Sequence, residues 1–485
     1  MKLHFKSVSL NDPAVQLTAI PCIFFLIVTI LSIGRLISLS ANAWDLAVFD
    51  QYFWFLSRSD IFSDSSFLGW SALADHLSFI LIPLSTSYLI IDSPAVLIFM
   101  QSIFLASAIY CLGYLSFRIE SLSLNNAKIL QLSFALSLPL WNAGINDFHT
   151  DSLFPVLVIC LYFSITRNAW PPTIVFLGFL LIVRDTGWFL AGITGAACLL
   201  RSPAHGRRLS IFVICAAAAW AWISASALYP FFYSEKYHHY SHYAHILSLL
   251  NGNLSTSDFI KALTTSNLLA SFYWIGLIAA PFLFLCSWPR STILILAAVA
   301  SSTPYILSSE ANHINIIYHY GLSVVPFLAL AAARGCNDSV AFWHSRKIYG
   351  AQLFIAALAL ASHSLILPNY ITAYRSMPEY LSFMSYARAL PANLKIMASN
   401  GLAPLVSNRK FVDFPLKHPM ADPSAYHEFP QDFSYLILDQ TDPGFGSSPD
   451  RNDELINKAI EDKWTCTSKY VAHHEIVECL KPSLH

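Results

Sequence analysis

Charge is what this sequence has least of. Its 485 residues include 28 Lys and Arg against 29 Asp and Glu, 12% charged in all, with a net charge of −1. Soluble domains carry roughly 25%. So even a balance offers no basic face for nucleic acid and no acidic excess that would keep a chain unfolded. The motifs of common soluble enzymes are also missing: there is no phosphate-cradling Gly-rich Walker loop, no HExxH zinc helix and no GxSxG nucleophile elbow. Cysteine is sparse. Seven of the nine (Cys22, Cys111, Cys160, Cys198, Cys215, Cys286, Cys336) lie in or beside apolar stretches, where the thiol behaves as a small hydrophobe. What is abundant is apolar: 55% hydrophobic and 14% aromatic residues. A soluble single-core enzyme does not have that composition. A mainly α, polytopic membrane protein does.

A spanning helix needs about 20 apolar residues. Stretches of suitable character lie at 17–39, 94–117, 128–145, 151–166, 209–232, 267–287, 291–307, 318–333 and 349–367. The run 171–200 is broken by Arg184-Asp185-Thr186-Gly187 and reads as two short helices meeting at one membrane face. Segment 76–91 is ambiguous, being apolar but short and containing Pro83, and the count of basic residues decides for an interfacial segment. With it lying flat, about 11 spans result, and the basic residues sort by side. Lys2, Lys6, Arg118, Lys128, Arg167, Arg201, Arg207, Arg208, Arg290, Arg334, Arg346 and Lys347 then face the cytoplasm, while outer loops before residue 368 keep only Arg58, Arg184, Lys236 and Lys261. The expected topology is a multi-pass protein of the bacterial plasma (inner) membrane, with a cytoplasmic N-terminus. Of the 15 acids before residue 368, only Asp12, Glu120 and Asp338 stay inside. Charges at membrane depth cost at least ~2.5 kcal/mol each on insertion scales, so acids retained at the outer face are functional candidates.

Residues 1–367 thus form a transmembrane domain and residues 368–485 a small extracytoplasmic α/β domain, which holds 25 of the charged residues in about a quarter of the chain. In the latter, 394–399, 410–414 and 433–439 read as strands, 450–463 as a helix, and 464–480 as a closing hairpin. Cys466 and Cys479 are equidistant from the turn expected at Ala472-His473. They would face each other across that hairpin and, outside the cytoplasm, could form a disulfide.

Six constellations carry chemistry. Ala43–Trp54 follows the first span as an aromatic stretch interrupted by Asp50 and Gln51, a pattern suited to a helix lying in the membrane interface. Its acids Asp45 and Asp50 are about 140° apart on a helix, so one serves a site while the other caps or solvates; both could equally be helix-start acids. Asp75-His76 opens the interfacial stretch. Asn146-Asp147-Phe148-His149-Thr150-Asp151 puts two carboxylates and an imidazole in one short loop, which could bind a divalent cation (Mg or Mn) or a sugar hydroxyl, or could be a polar turn with Asp151 as an N-cap. Arg184-Asp185 interrupts an apolar run; it is either an ion pair or a guanidinium poised for a lipid phosphate. The loop 233–245 carries His238, His242 and His245 on one helical face, more in keeping with a wet aromatic belt than with a metal site. His313 and His319 stand at the outer mouth of a span, where they could contact a phosphate or a leaving group.

The arrangement resembles the GT-C superfamily of integral-membrane glycosyltransferases, which use polyprenyl-phosphate-linked sugars. More closely, Asp45-Leu46-x-x-Phe49-Asp50-Gln51, Asp75-His76, Asn146-Asp147-Phe148-His149, Tyr318-His319-Tyr320 and the later Ala398-Ser399-Asn400-x-x-x-Pro404-x-x-Ser407-Asn408-Arg409 look like a bacterial membrane family described as a domain of unknown function and placed beside GT-C enzymes. The resemblance implies a general base at Asp45, an acid in the second outer loop at Asp147 helped by His149, with Asp45 and Asp147 as the candidate metal pair, and a phosphate-binding cation at Arg184. Asp50, His76, Asp185, His313 and His319 would line the substrate. At Arg184 the sequence departs from a Lys-Glu-Asp-like pattern. Asn400 and Asn408-Arg409 could face the cavity, although surface loops are the plainer expectation for them. The acceptor is not legible. Two rival readings stand beside sugar transfer: a non-catalytic assembly or binding protein on the same scaffold, and a lipid or sugar transporter, against which the one-sided charges and the lack of an internal repeat argue.

Ala41-Asn42-Ala43 mimics a signal-peptidase site, but the apolar run before it, 17–39, is longer than a normal signal h-region. The first helix is therefore expected to stay attached. N-terminal sequencing of the purified protein should read residues ahead of Ala43; a mature start at Trp44 would refute this.

Overall fold

The computed structural model describes residues 11–201, 206–232, 267–287, 290–308, 310–343, 346–363, 368–415, 432–444 and 447–482. Loop 233–245, with His238, His242 and His245, lies outside them. Helices dominate the first three quarters of the chain. Among the described residues, Pro13–Ile37, Pro94–Ile119 and Arg207–Phe232 are long and apolar enough to cross a membrane, and seven shorter apolar helices accompany them.

Several of the expected spans are interrupted, each for a local reason. The stretch 128–145 divides into Leu124–Ala135 and Leu138–Ile145. Pro139 explains the break: it lacks an N–H and its ring collides with the carbonyl one turn earlier. The stretch 318–333 opens as a 3₁₀ turn at His319–Ser323 and becomes α-helical only at Val325. Segment 76–91 is not one helix but short pieces, Ala72–His76, Leu81–Ser85 and Thr86–Leu89. The break at Arg184 is as expected: Trp170–Val183 stops, Arg184 is fully extended (φ −164°, ψ 162°), and Gly187–Arg201 begins. Gly187 is required there, because a Cβ on it would lie 1.9 Å from the Leu180 carbonyl oxygen.

The chain forms two compact units that are discontinuous in sequence. One comprises residues 1–28, 102–144 and 150–365; the other comprises 29–101, 145–149 and 366–485. The polar C-terminal residues share their unit with residues 29–101 and with the short stretch Ile145–His149.

The second unit contains a five-stranded sheet in the order β2-β1-β3-β5-β4. Its strands are β1 (Ile396–Ala398), β2 (Val412–Asp413), β3 (Tyr435–Asp439), β4 (Thr465–Val471) and β5 (His474–Leu480). β2, β1 and β3 run parallel, and β5 is antiparallel to β3. β1 and β3 are buried throughout and read as continuous apolar runs, as central parallel strands do. The β4–β5 hairpin turns at Ala472 and His473, both at positive φ (50° and 73°), the geometry of a two-residue hairpin turn. That register sets Cys466 opposite Cys479, and the two are disulfide-bonded with Cα atoms 4.1 Å apart. Closing a loop of this size removes about 3 kcal/mol of unfolded-chain entropy. Helix Pro449–Glu461, capped by Ser448 on the Arg451 amide, packs Leu455 and Ala459 against Met397, Leu436, Leu438, Trp464 and Val477.

At the carboxyl end of β3, Asp439 accepts from Nδ1 of His474 at 2.6 Å. That hydrogen bond raises the imidazole pKa above 6.5, with the charges of Asp439 and Asp442 adding to it and burial opposing it. Because the folded pKa lies above the unfolded one, the pair's contribution is complete below pH 6.5 and disappears as pH rises through the folded value. Thermal melting of the full chain in detergent at pH 6 and pH 8.5 should show the alkaline sample less stable, and His474→Gln should remove that part of the difference. An unchanged pH dependence in the variant would contradict this.

Candidate functional site

In the second unit, the segment after the first long apolar helix starts with an irregular turn. Asn42 caps it, its side chain accepting from the Trp44 amide at 3.1 Å, and Ala43–Ala47 then form a π-turn before the α-helix Val48–Ser57 begins. Single π-turns fit one extra residue into the helix and re-aim the side chains around it. Asp45 sits in this turn. One carboxylate oxygen lies 3.3 Å from Nε2 of His149, and its side chain keeps 21% exposure.

His149 is held from behind. Its Nδ1 is 3.1 Å from the Asp147 carbonyl oxygen, and its amide donates to Gln101 Oε1 at 2.9 Å. The Gln101 carboxamide in turn donates to the carbonyls of Asn146 and Asp147. A carbonyl can only accept, so the proton on that side belongs to Nδ1. The Nε2–Asp45 contact then needs a second proton: either His149 is an imidazolium facing a carboxylate, or Asp45 carries the proton toward a neutral imidazole. The pair shares one labile proton, which is the chemistry of a general acid–base group.

Asp147 does different work. Arg35 grips it in a bidentate fork, Nη1 to Oδ1 at 2.7 Å and Nη2 to Oδ2 at 3.1 Å, and the Asn42 amide adds a bond to Oδ2 at 3.1 Å. Burial pushes the Asp147 carboxyl above the ordinary range, and Arg35 pulls against that shift. As a cation ligand Asp147 fits poorly, because both oxygens face a guanidinium; Asp45 and Asp147 do not make a metal pair. Among the described residues no group of three or more His, Cys, Asp or Glu is placed to hold a metal ion. Between the two polar residues, Phe148 is fully buried and packs edge-on against Phe49 and Phe53, which anchors the loop.

Asp50 neither caps nor solvates. It is wholly buried and accepts from Arg388 (3.1 Å), Ser407 (2.6 Å) and Tyr88 (2.5 Å), and Arg388 also reaches Asp92. Burial raises the Asp50 pKa, with Arg388 the chief opposing influence. This carboxylate is enclosed and bonds the helix Val48–Ser57 to Arg388 and Ser407. Asn408-Arg409 does not open on a cavity either: the Arg409 guanidinium is enclosed and donates to the carbonyls of Val406, Pro391 and Ala387. Asn400, by contrast, does reach the turn carrying the acid, accepting from the Ala43 amide at 2.9 Å. His76 ends a short helix, half-buried.

The first unit gathers the remaining candidates. Arg184 donates to Asp151 at 2.9 Å and lies 3.5 Å from Asp185. Nε2 of His319 is 3.2 Å from the same Asp151 oxygen. Tyr229 donates to Asp185 at 2.7 Å. The nearer acid to Arg184 is therefore Asp151, not its sequence neighbour. His313 stands apart from this pair, bonded to Ser308 at 2.7 Å and edge-on to Tyr320. Sequence reasoning passed over Arg35 and Gln101. Arg35 was detectable as the only ionisable residue in the first apolar span, and such residues are functional candidates by default; nothing in the local pattern marked Gln101.

With this geometry in hand, the chain can be set beside known proteins. The pattern of the family described as "Predicted membrane protein (DUF2079)" matches residues 35–474. No curated protein matches the sequence. Three solved structures are similar in outline. ArnT from Cupriavidus metallidurans bound to undecaprenyl phosphate gives a TM-score of 0.48 at 9% identity, covering 97% of this chain and 98% of that one. Its apo state gives 0.49 at 10% identity, covering 94% and 97%. The arabinofuranosyltransferase AftD from Mycobacteria gives 0.47 at 12% identity, covering 99% of this chain but 40% of AftD.

The Arg35–Asp147 fork sets a stability expectation. Removing one partner of a buried pair strands the other charge, at about 3–5 kcal/mol. Arg35→Met should therefore lower the melting temperature sharply, whereas Arg35→Met with Asp147→Leu should recover much of the loss. A double variant as unstable as the single one would show that the fork is not the source.

Proposed function

Because the chain belongs to the DUF2079 family of predicted membrane proteins, we propose that it is a multi-pass glycosyltransferase that moves a sugar from a polyprenyl-phosphate carrier to an acceptor hydroxyl outside the cytoplasmic membrane. About eleven spans, a cytoplasmic N-terminus and an extracytoplasmic C-terminal domain in a bacterial inner membrane belong to this reading, which builds on the motif resemblance at Asp45–Gln51, Asn146–His149 and Tyr318–Tyr320.

The observation that carries it is the partly exposed Asp45 carboxylate set against His149, whose other nitrogen is occupied by a backbone carbonyl. With the shared proton on His149, Asp45 is an ionised acceptor in a largely buried setting. It takes the proton from the acceptor hydroxyl as that oxygen bonds to the anomeric carbon. The bond from that carbon to the carrier phosphate breaks in the same displacement, with inversion, and the polyprenyl phosphate leaves with the electron pair. Asp147 contributes no proton; through Arg35 and Asn42 it fixes the loop from which His149 projects.

Incubation of the purified protein with polyprenyl-phosphate sugars and candidate acceptors tests this. Transfer should fall by about 10²-fold or more in Asp45→Asn, within the range expected for losing a general base, without a change in melting temperature. Full transfer in Asp45→Asn would remove the mechanism. No transfer by the intact chain with any carrier, together with uptake of the same lipid by proteoliposomes, would favour a transporter instead.

A further inference from the structure

The carboxyl ends of parallel strands are where open α/β sheets ordinarily take their ligands. In the second unit that edge is filled by the chain itself. Gly401, just past β1, lies so close to the backbone ahead of Asp45 that an added Cβ would stand 1.7 Å from the Leu39 carbonyl oxygen. Its neighbour Asn400 is 8% exposed and accepts the Ala43 N–H at 2.9 Å. His474, at the edge of the adjoining β5, meets both Asp439 and the Ser38 backbone. Residues 38–43 are therefore held along their length from the sheet, and they lead directly into the π-turn that presents Asp45.

We propose that Asn400 is a positioning residue for Asp45: its carboxamide oxygen fixes the first amide of the π-turn and thereby the direction in which the carboxylate points. This rests on Asp45 being the working base, and it gives the C-terminal domain a role in the site. Ala43 is the first residue of the turn, so its N–H has no partner within the helix; without Asn400 it would be a buried unsatisfied donor. Without this bond the turn would be free to rewind toward the commoner α-helix, which would swing Asp45 away from His149.

The test reads geometry and needs no substrate. In a full-length chain whose seven unpaired cysteines are replaced, Asp45→Cys and His149→Cys are introduced together, and the rate of joining by a short bifunctional methanethiosulfonate is measured in detergent. Adding Asn400→Ala should slow joining at least tenfold. Asn400→Asp, which keeps an oxygen acceptor of the same shape, should stay within about twofold of the parent. Ala43→Pro removes the donor at a position that tolerates proline, and should slow joining as Asn400→Ala does, which keeps the test usable if Asn400→Ala does not fold. Equal rates with Asn400, Asn400→Ala and Ala43→Pro would overturn the positioning role, as would Asn400→Asp joining as slowly as Asn400→Ala. Absence of sugar transfer by the intact protein would overturn the proposed function and leave these rates unaffected.

Discussion

The bidentate pair of Arg35 and Asp147 is the constraint on which the site depends. A guanidinium at the end of the first apolar helix and a carboxylate in a loop more than a hundred residues later are both withdrawn from water. Taking two charges out of water is costly, and the cost is recovered only when geometry is good and the remaining polar valences are met. Here they are: Asn42 supplies an amide to the carboxylate, and Gln101 gathers the carbonyls beside it. The loop cannot then slide without exposing an uncompensated ion. His149 inherits a fixed orientation from that immobility, and Asp45 inherits a fixed partner.

A second buried cation does the same for the other acid of the stretch Ala43–Ser57. Asp50, Arg388, Ser407 and Tyr88 form a closed set in which every atom of the carboxylate is used. The two acids, five residues apart, have opposite fates: Asp45 is half open beside an imidazole, and Asp50 is sealed. A carboxylate that must exchange protons with a substrate needs access; one that ties segments together needs exclusion. The sheet edge adds a third restraint through Asn400 and Gly401.

Much of this was legible in the residues themselves, and the reason differs from element to element. The C-terminal strands and helix were readable because short apolar runs bounded by turn residues leave few alternatives, and the midpoint of Cys466 and Cys479 coincides with a real hairpin turn. The helix break at Arg184 was readable because charge cannot sit within an apolar run without a structural reason. Divergence of Asp45 and Asp50 followed from their angular separation. Their individual roles did not, since burial of Asp50 depends on Arg388 and Ser407, more than three hundred residues away. The same holds for Arg184, whose nearer acid turned out to be Asp151 and not the adjacent Asp185. Pairings across such distances have no local pattern. Breaks within the apolar runs, as at Pro139, were visible but outweighed by hydropathy, which averages over windows longer than one turn.

The surplus residue in the turn Ala43–Ala47 has a consequence for the length of this segment. Each residue of an α-helix advances the azimuth by about 100°. The turn already takes up one residue more than α-helical winding would, so a second one inserted there would go unabsorbed and rotate everything downstream by that angle relative to the anchors upstream. Asp50 would leave Arg388, Gln51 would leave the backbone of Arg409, and Phe49 would leave Phe148. Amino-acid identity at many of these sites could drift with modest cost, but the spacing between Asn42 and Asp50 behaves as a gear tooth count, tolerant of wear and intolerant of an added tooth.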